Sequence, residues 1–194
     1  MKQYLLILIV GTMGMLLFGC GTFTLKDENG EETTVDVSNA KDGKVSINDK
    51  EGGSIDIDSD EKGNTKMKMK TNEGEFSSES GEDTELPDGF PEEFPIPESA
   101  EITMVNTITE DDATVYSVHF SFTDDSESLY DAVKDYADIR GLEIQLDNKT
   151  ERDGNKSYML SANNSDDEDS EYFTVNIGQF EAQTGTVTYG VSKK

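Results

Sequence analysis

ATVYSVHFSFTDDSESLYDAVKDYADIRG, Ala113–Gly141, is the stretch on which the fold turns, because its hydrophobic period changes partway along. At its start Tyr116, Val118, Phe120 and Phe122 alternate with Ser117, His119 and Ser121, the two-residue repeat of a strand with one buried face. From Glu127 to Arg140 the spacing lengthens to the helical period, placing Leu129, Ala132, Val133, Tyr136 and Arg140 on one face. Thr123 to Ser126 supply capping side chains and Gly141 a stop. Acids early in the helix and Arg140 late suit its dipole.

Outward from this stretch, Glu101–Thr109 reads as a preceding strand, joined through Glu110-Asp111-Asp112. Leu142–Leu146, Ser157–Ala162, Tyr172–Ile177 and Thr186–Val191 read as following strands, separated by the polar connections 147–156, 163–171 and 178–185. The order ββαββββ predicts an α+β domain over residues 100–194: an antiparallel sheet with one helix packed on its apolar face.

Before it stands LPDGFPEEFPIPESA, residues 86–100, which holds all four prolines. Proline fixes φ and restricts its predecessor, so 86–99 is expected to be a semi-rigid extended hinge whose Phe90, Phe94 and Ile96 seal an edge of the domain. The motif L-P-x-x-F-P-x-x-x-P-x-P, matched by Leu86-Pro87, Phe90-Pro91 and Pro95-Ile96-Pro97, resembles one in uncharacterised lipoproteins of low-GC Gram-positive bacteria. That resemblance spans residues 86–194. It implies a small α+β domain and an envelope location, and carries no activity.

Residues 20–85 are acidic and punctuated by glycine, with Gly43, Gly53 and Gly63 ten apart. Val35/Val37, Val45/Ile47, Ile55/Ile57 and Met67/Met69 alternate with polar residues, which predicts a β-meander of short strands. Each strand buries little against an ordering cost of roughly 1–2 kcal/mol per residue, so a disordered acidic spacer is the competing expectation. Asp58, Asp60 and Gly63 begin like a calcium loop. Lys62 then occupies a ligand position and Met69 stands where the bidentate glutamate belongs, so that reading fails.

Residues 1–19 open with Lys2 and continue through the uncharged run Tyr4–Phe18, shorter than the roughly 20 residues of a membrane-spanning helix. The run ends Leu17-Phe18-Gly19-Cys20, which resembles the lipobox signal of bacterial lipoproteins; Phe18 departs from the small residue usual at its place. The resemblance implies signal recognition by Leu17, Phe18 and Gly19, cleavage before Cys20, and diacylglyceryl attachment to the Cys20 thiol. Two acyl chains hold a membrane stably, at about 0.8 kcal/mol per buried CH₂.

Forty-two acids against 16 basic residues give a net charge of −26, which argues against nucleic acid and anionic lipid as partners. One cysteine excludes an intramolecular disulfide and a cysteine zinc site. The only histidine, His119, lies mid-strand without a nucleophile motif nearby. No cofactor and no enzyme activity are expected. Asp166, Asp167, Glu168 and Asp169 form the densest acidic run, a weak candidate for divalent cations without the spacing of a specific site. The reading is a non-enzymatic lipoprotein on the outer face of the cell membrane, binding an envelope protein or wall component. A carboxylate-based envelope hydrolase and an acidic cation-binding surface protein are the alternatives.

Overall fold

The computed structural model describes residues 21–26, 32–164, 169–179 and 182–193, and the chain divides between Asn72 and Glu73 into two compact units. In the first, β1 (Thr22–Lys26), β2 (Glu32–Asp36), β3 (Lys44–Asp49), β4 (Ser54–Ser59) and β5 (Thr65–Lys70) pair antiparallel in chain order. Alternation sorts their side chains. Phe23, Val35, Ile47, Ile55 and Met69 form a cross-strand row on one face, with Val45, Ile57 and Met67 beside it. On the other face Asp56 stands opposite Lys68 and Asp58 opposite Lys66, while the Lys44 ammonium reaches Asp58 at 2.6 Å. The run TKMKMK is therefore a strand with methionines on one face and lysines on the other, Lys66 and Lys68 opposite acids and Lys70 opposite Ser54. Asp60 accepts hydrogen bonds from the Lys62 and Asn64 backbone amides at 2.8 and 3.0 Å, so its carboxylate closes a turn.

The second unit contains β6 (Gly74–Ser80), β7 (Glu101–Glu110), β8 (Ala113–Phe122), α1 (Ser126–Ile139), β9 (Glu143–Arg152), β10 (Asn155–Asn163), β11 (Asp169–Gln179) and β12 (Gln183–Lys193). Its strand order is β6-β7-β8-β12-β11-β10-β9. β8 and β9 run parallel with three strands between them, so the chain must cross over the sheet, and α1 makes that crossing. The remaining strands then walk back as hairpins until β12 pairs with β8. The Asp125 carboxylate caps α1 by accepting from the Ser128 amide at 2.8 Å. Gly141 ends the helix at φ 69°, where Leu142 N–H bonds back to the Ala137 carbonyl.

One sheet face carries the core, where Val118, Leu160, Phe173, Val175 and Val187, nearly inaccessible, cluster with Val133, Tyr136 and Ala137 of α1. The proline segment covers the rest. It is not extended as expected but forms three successive turns: Phe90, Phe94 and Ala100 N–H bond to the Pro87, Pro91 and Pro97 carbonyls. Gly89, at φ 86°, supplies the left-handed residue of the first turn and lies against the Tyr116 hydroxyl. The Pro-x-x-Phe spacing repeated at four residues turns both phenylalanines inward. Phe90 packs edge-on to Tyr116 and Tyr189, and Phe94 packs edge-on to Tyr136 and Phe173.

The expected α+β class with the order ββαββββ is corrected. The fold is β-rich and mostly antiparallel, with twelve strands and one α-helix among the described residues. Apolar alternation marks β6 weakly and β9 only at its start, in the strand expected at Leu142–Leu146. β6, GEFSSES, has a single large apolar side chain, and β9 is exposed along its whole length. β9 extends through the polar run expected to be a connection and turns into β10 at Asp153-Gly154, both with positive φ, the two-residue hairpin turn that Asp-Gly favours.

Candidate functional site: an uncharged sheet face

Cys20, Leu17, Phe18 and Gly19 lie outside the described residues, as do Asp166, Asp167 and Glu168 of the acidic run; the backbone of Asp169 opens β11. Among the described residues no group of three or more His, Cys, Asp or Glu is placed to hold a metal ion. No described helix is long and apolar enough to cross a membrane.

Two polar clusters tie α1 to the strands. Arg140 forms an ion pair with Glu171 at 2.7 Å, and the Tyr136 hydroxyl donates to the same carboxylate at 3.4 Å. Burial, reinforced by Glu171, raises the Tyr189 and Tyr136 hydroxyl pKa values above the ordinary phenol value. The second cluster centres on Asp147, which accepts from Lys134 at 2.7 Å and from the Tyr130 hydroxyl. The Lys134 and Tyr130 hydrogen bonds hold the Asp147 carboxyl below its ordinary range. Lys149 lies 4.4 Å over the Tyr130 ring and 3.3 Å from Glu127. An open cleft of about 350 Å³ beside it is lined by Glu127, Lys149, Thr150, Glu151, Lys156 and Tyr158. Both lysines there approach Glu127, so the cleft's charges are matched within itself. Both clusters are clamps between elements.

The sheet face opposite the core has a different composition. Register fixes four rows across the strands. Tyr172, Gly190, Val115, Ile108 and Phe76 stand side by side in the first. The second runs Leu146, Ser161, Thr174, Thr188, Ser117, Asn106, Ser78. The third runs Asn148, Met159, Asn176, Thr186, His119, Met104, Ser80, and the fourth holds Thr150, Ser157, Gly178, Thr184 and Ser121. Among the described residues, carboxylates and Arg152 stand at the margin: Glu143 ends the first row, beyond Asn163 and Tyr172, Glu101 ends the fourth beside Ser121, and Glu110 lies outside the first row.

With strands about 4.8 Å apart and residues about 3.3 Å along each, the four rows span roughly 30 by 20 Å. Five large hydrophobic side chains are exposed on this face, Met104, Ile108, Leu146, Met159 and Tyr172, interleaved with hydroxyl and amide groups. At its centre the two ring nitrogens of His119 meet Ser117 Oγ at 3.4 Å and Thr186 Oγ1 at 3.2 Å. Hydroxyls, not acids, flank the histidine, so no Asp-oriented base is built there. In a chain of net charge −26, a broad face without interior charge is a marked segregation. Sequence reading placed Ser117, His119 and Ser121 on this side of β8 but not their neighbours on β12, because strand order was not visible. The alternation of Thr184, Thr186 and Thr188 was the available signal.

No protein-family model matches the chain and no curated protein matches it, so the composition and geometry of this face are what a functional reading rests on.

Proposed function

We propose that this protein is a non-enzymatic lipoprotein, held through Cys20 on the outer face of the cell membrane, that engages an envelope component through the uncharged face of its second unit. The observation carrying the binding role is the charge-free interior of the four rows between Tyr172 and Ser121 within a strongly acidic chain. Solubility alone favours charge on a solvated face. An array of hydroxyls, amides and exposed Met and Tyr side chains suits contact with an uncharged surface. Anchoring is the part the sequence supports, through Leu17-Phe18-Gly19-Cys20.

The test is fractionation of cells expressing the wild type, Cys20→Ala, and Cys20→Ala combined with Thr188→Asp, with mass spectrometry of the N-terminal peptide. Expected are diacylglyceryl on Cys20, loss of Cys20→Ala from the membrane, retention of that protein on the wall, and its release to the medium by Thr188→Asp. An unmodified Cys20 overturns the anchor. Wall retention indifferent to Thr188→Asp, or absent altogether, overturns the binding role.

A further inference from the structure

We infer that the occupant of the uncharged face is an uncharged polysaccharide, seated on the ring of Tyr172. This rests on the binding role proposed above and names its ligand.

The argument begins with a glycine. Gly190 and Tyr172 are direct cross-strand partners, and a Cβ added to Gly190 would fall 2.3 Å from the Tyr172 ring. The ring therefore lies down over the glycine backbone, along the sheet surface. Tyr172 is 38% exposed, so the other side of the ring looks to solvent. A flat aromatic surface flanked by hydroxyl and amide groups is complementary to a sugar, whose ring faces are apolar and whose edges are hydroxyls. Around it Thr174, Thr188, Ser117 and Asn176 both donate and accept hydrogen bonds, as sugar hydroxyls do.

Charge selects among polymers. An anionic polymer meets the field of a −26 chain, and a cationic one finds carboxylates only at the row ends, Glu143 two strands from Tyr172 and Glu101 beside Ser121, and none between. A second copy is disfavoured by charge. It brings another −26 to the same face. An extended neutral chain meets no such obstacle, and the exposed Met104 and Met159 continue the apolar contacts along the third row.

The experiment is cosedimentation of the full-length protein, in detergent, with insoluble chitin and cellulose as uncharged probes and phosphocellulose as the anionic one. Expected is retention on an uncharged probe that survives 0.5 M NaCl, with affinity reduced about tenfold in Tyr172→Ala and preserved in Tyr172→Phe. Gly190→Ala, which unseats the ring without removing it, is expected to weaken binding to a similar extent. Thr188→Asp does so by placing a charge among the rows, and circular dichroism melts verify that each variant is folded. Retention on neither uncharged probe, preference for phosphocellulose, or equal binding by all folded variants overturns the inference. So does a dimer in analytical ultracentrifugation that Thr188→Asp dissociates, which would make a second copy the occupant. If Thr188→Asp releases the protein from walls while chitin and cellulose bind nothing, the polysaccharide is wrong and the binding face stands.

Discussion

Glu171 illustrates how single residues hold this molecule together. It is 8% exposed, and Arg140 neutralises it from the end of α1 while Tyr136 donates to the same carboxylate. Removing the cation leaves a desolvated acid with fewer partners, so Arg140→Met is expected to destabilise the fold by about 2 kcal/mol in urea titration. Arg140 is itself nearly half exposed, which keeps the effect below that of a fully buried pair. Two carboxylates titrate with a definite sign. Asp125, bonded to the Ser128 amide, and Asp147, bonded to Lys134 and Tyr130, both have pKa values lowered by the folded state. Their stabilisation is complete above the unfolded carboxyl value of about 3.9 and is lost as pH falls through their lower folded values. Urea midpoints measured from pH 6 down to pH 2 are expected to fall below about pH 4, and to fall less steeply in Asp147→Asn.

Among the elements, the proline segment contributes beyond a connector's role. Phe94 contacts rings on the helix and on two strands, so the three-turn segment acts as a second cover beside α1. Phe94→Ala is expected to cost about 3–5 kcal/mol, read as a reduced denaturant midpoint. Loss of the N-terminal cap in Asp125→Ala is expected to lower the denaturant midpoint slightly, because Ser128 N–H then lacks its acceptor. An effect of Phe94→Ala no larger than that of the cap variant would mean that the segment merely lies on the surface.

For the whole molecule, a net charge of −26 on 194 residues makes self-repulsion a standing cost of compactness. Raising NaCl from 10 mM to 0.5 M shortens the Debye length from roughly 30 Å to about 4 Å, and the thermal midpoint is expected to rise by several degrees. A falling midpoint would mean that ion pairs such as Lys134–Asp147 and Lys44–Asp58 outweigh the repulsion.

The sequence by itself determined the local structure wherever one residue's neighbours decide its conformation. The alternation in β8, the helical period of α1, its capping at Asp125 and its end at Gly141 all follow from short-range sterics and hydrogen bonding. Where apolar contrast fades, as along the second half of β9, the same reading ended the strand expected at Leu142–Leu146 too early, because the rest of its course comes from pairing with its neighbour. Only the tertiary structure decided that β12 lies between β8 and β11. That order sets Thr188 opposite Ser117 and Thr186 opposite His119, gathering an uncharged face from segments far apart in the chain. The physical reason is that alternation assigns a side chain to one of two faces, whereas strand order and register determine which side chains share that face. Burying the core against α1 and the proline turns then leaves the opposite face open to solvent.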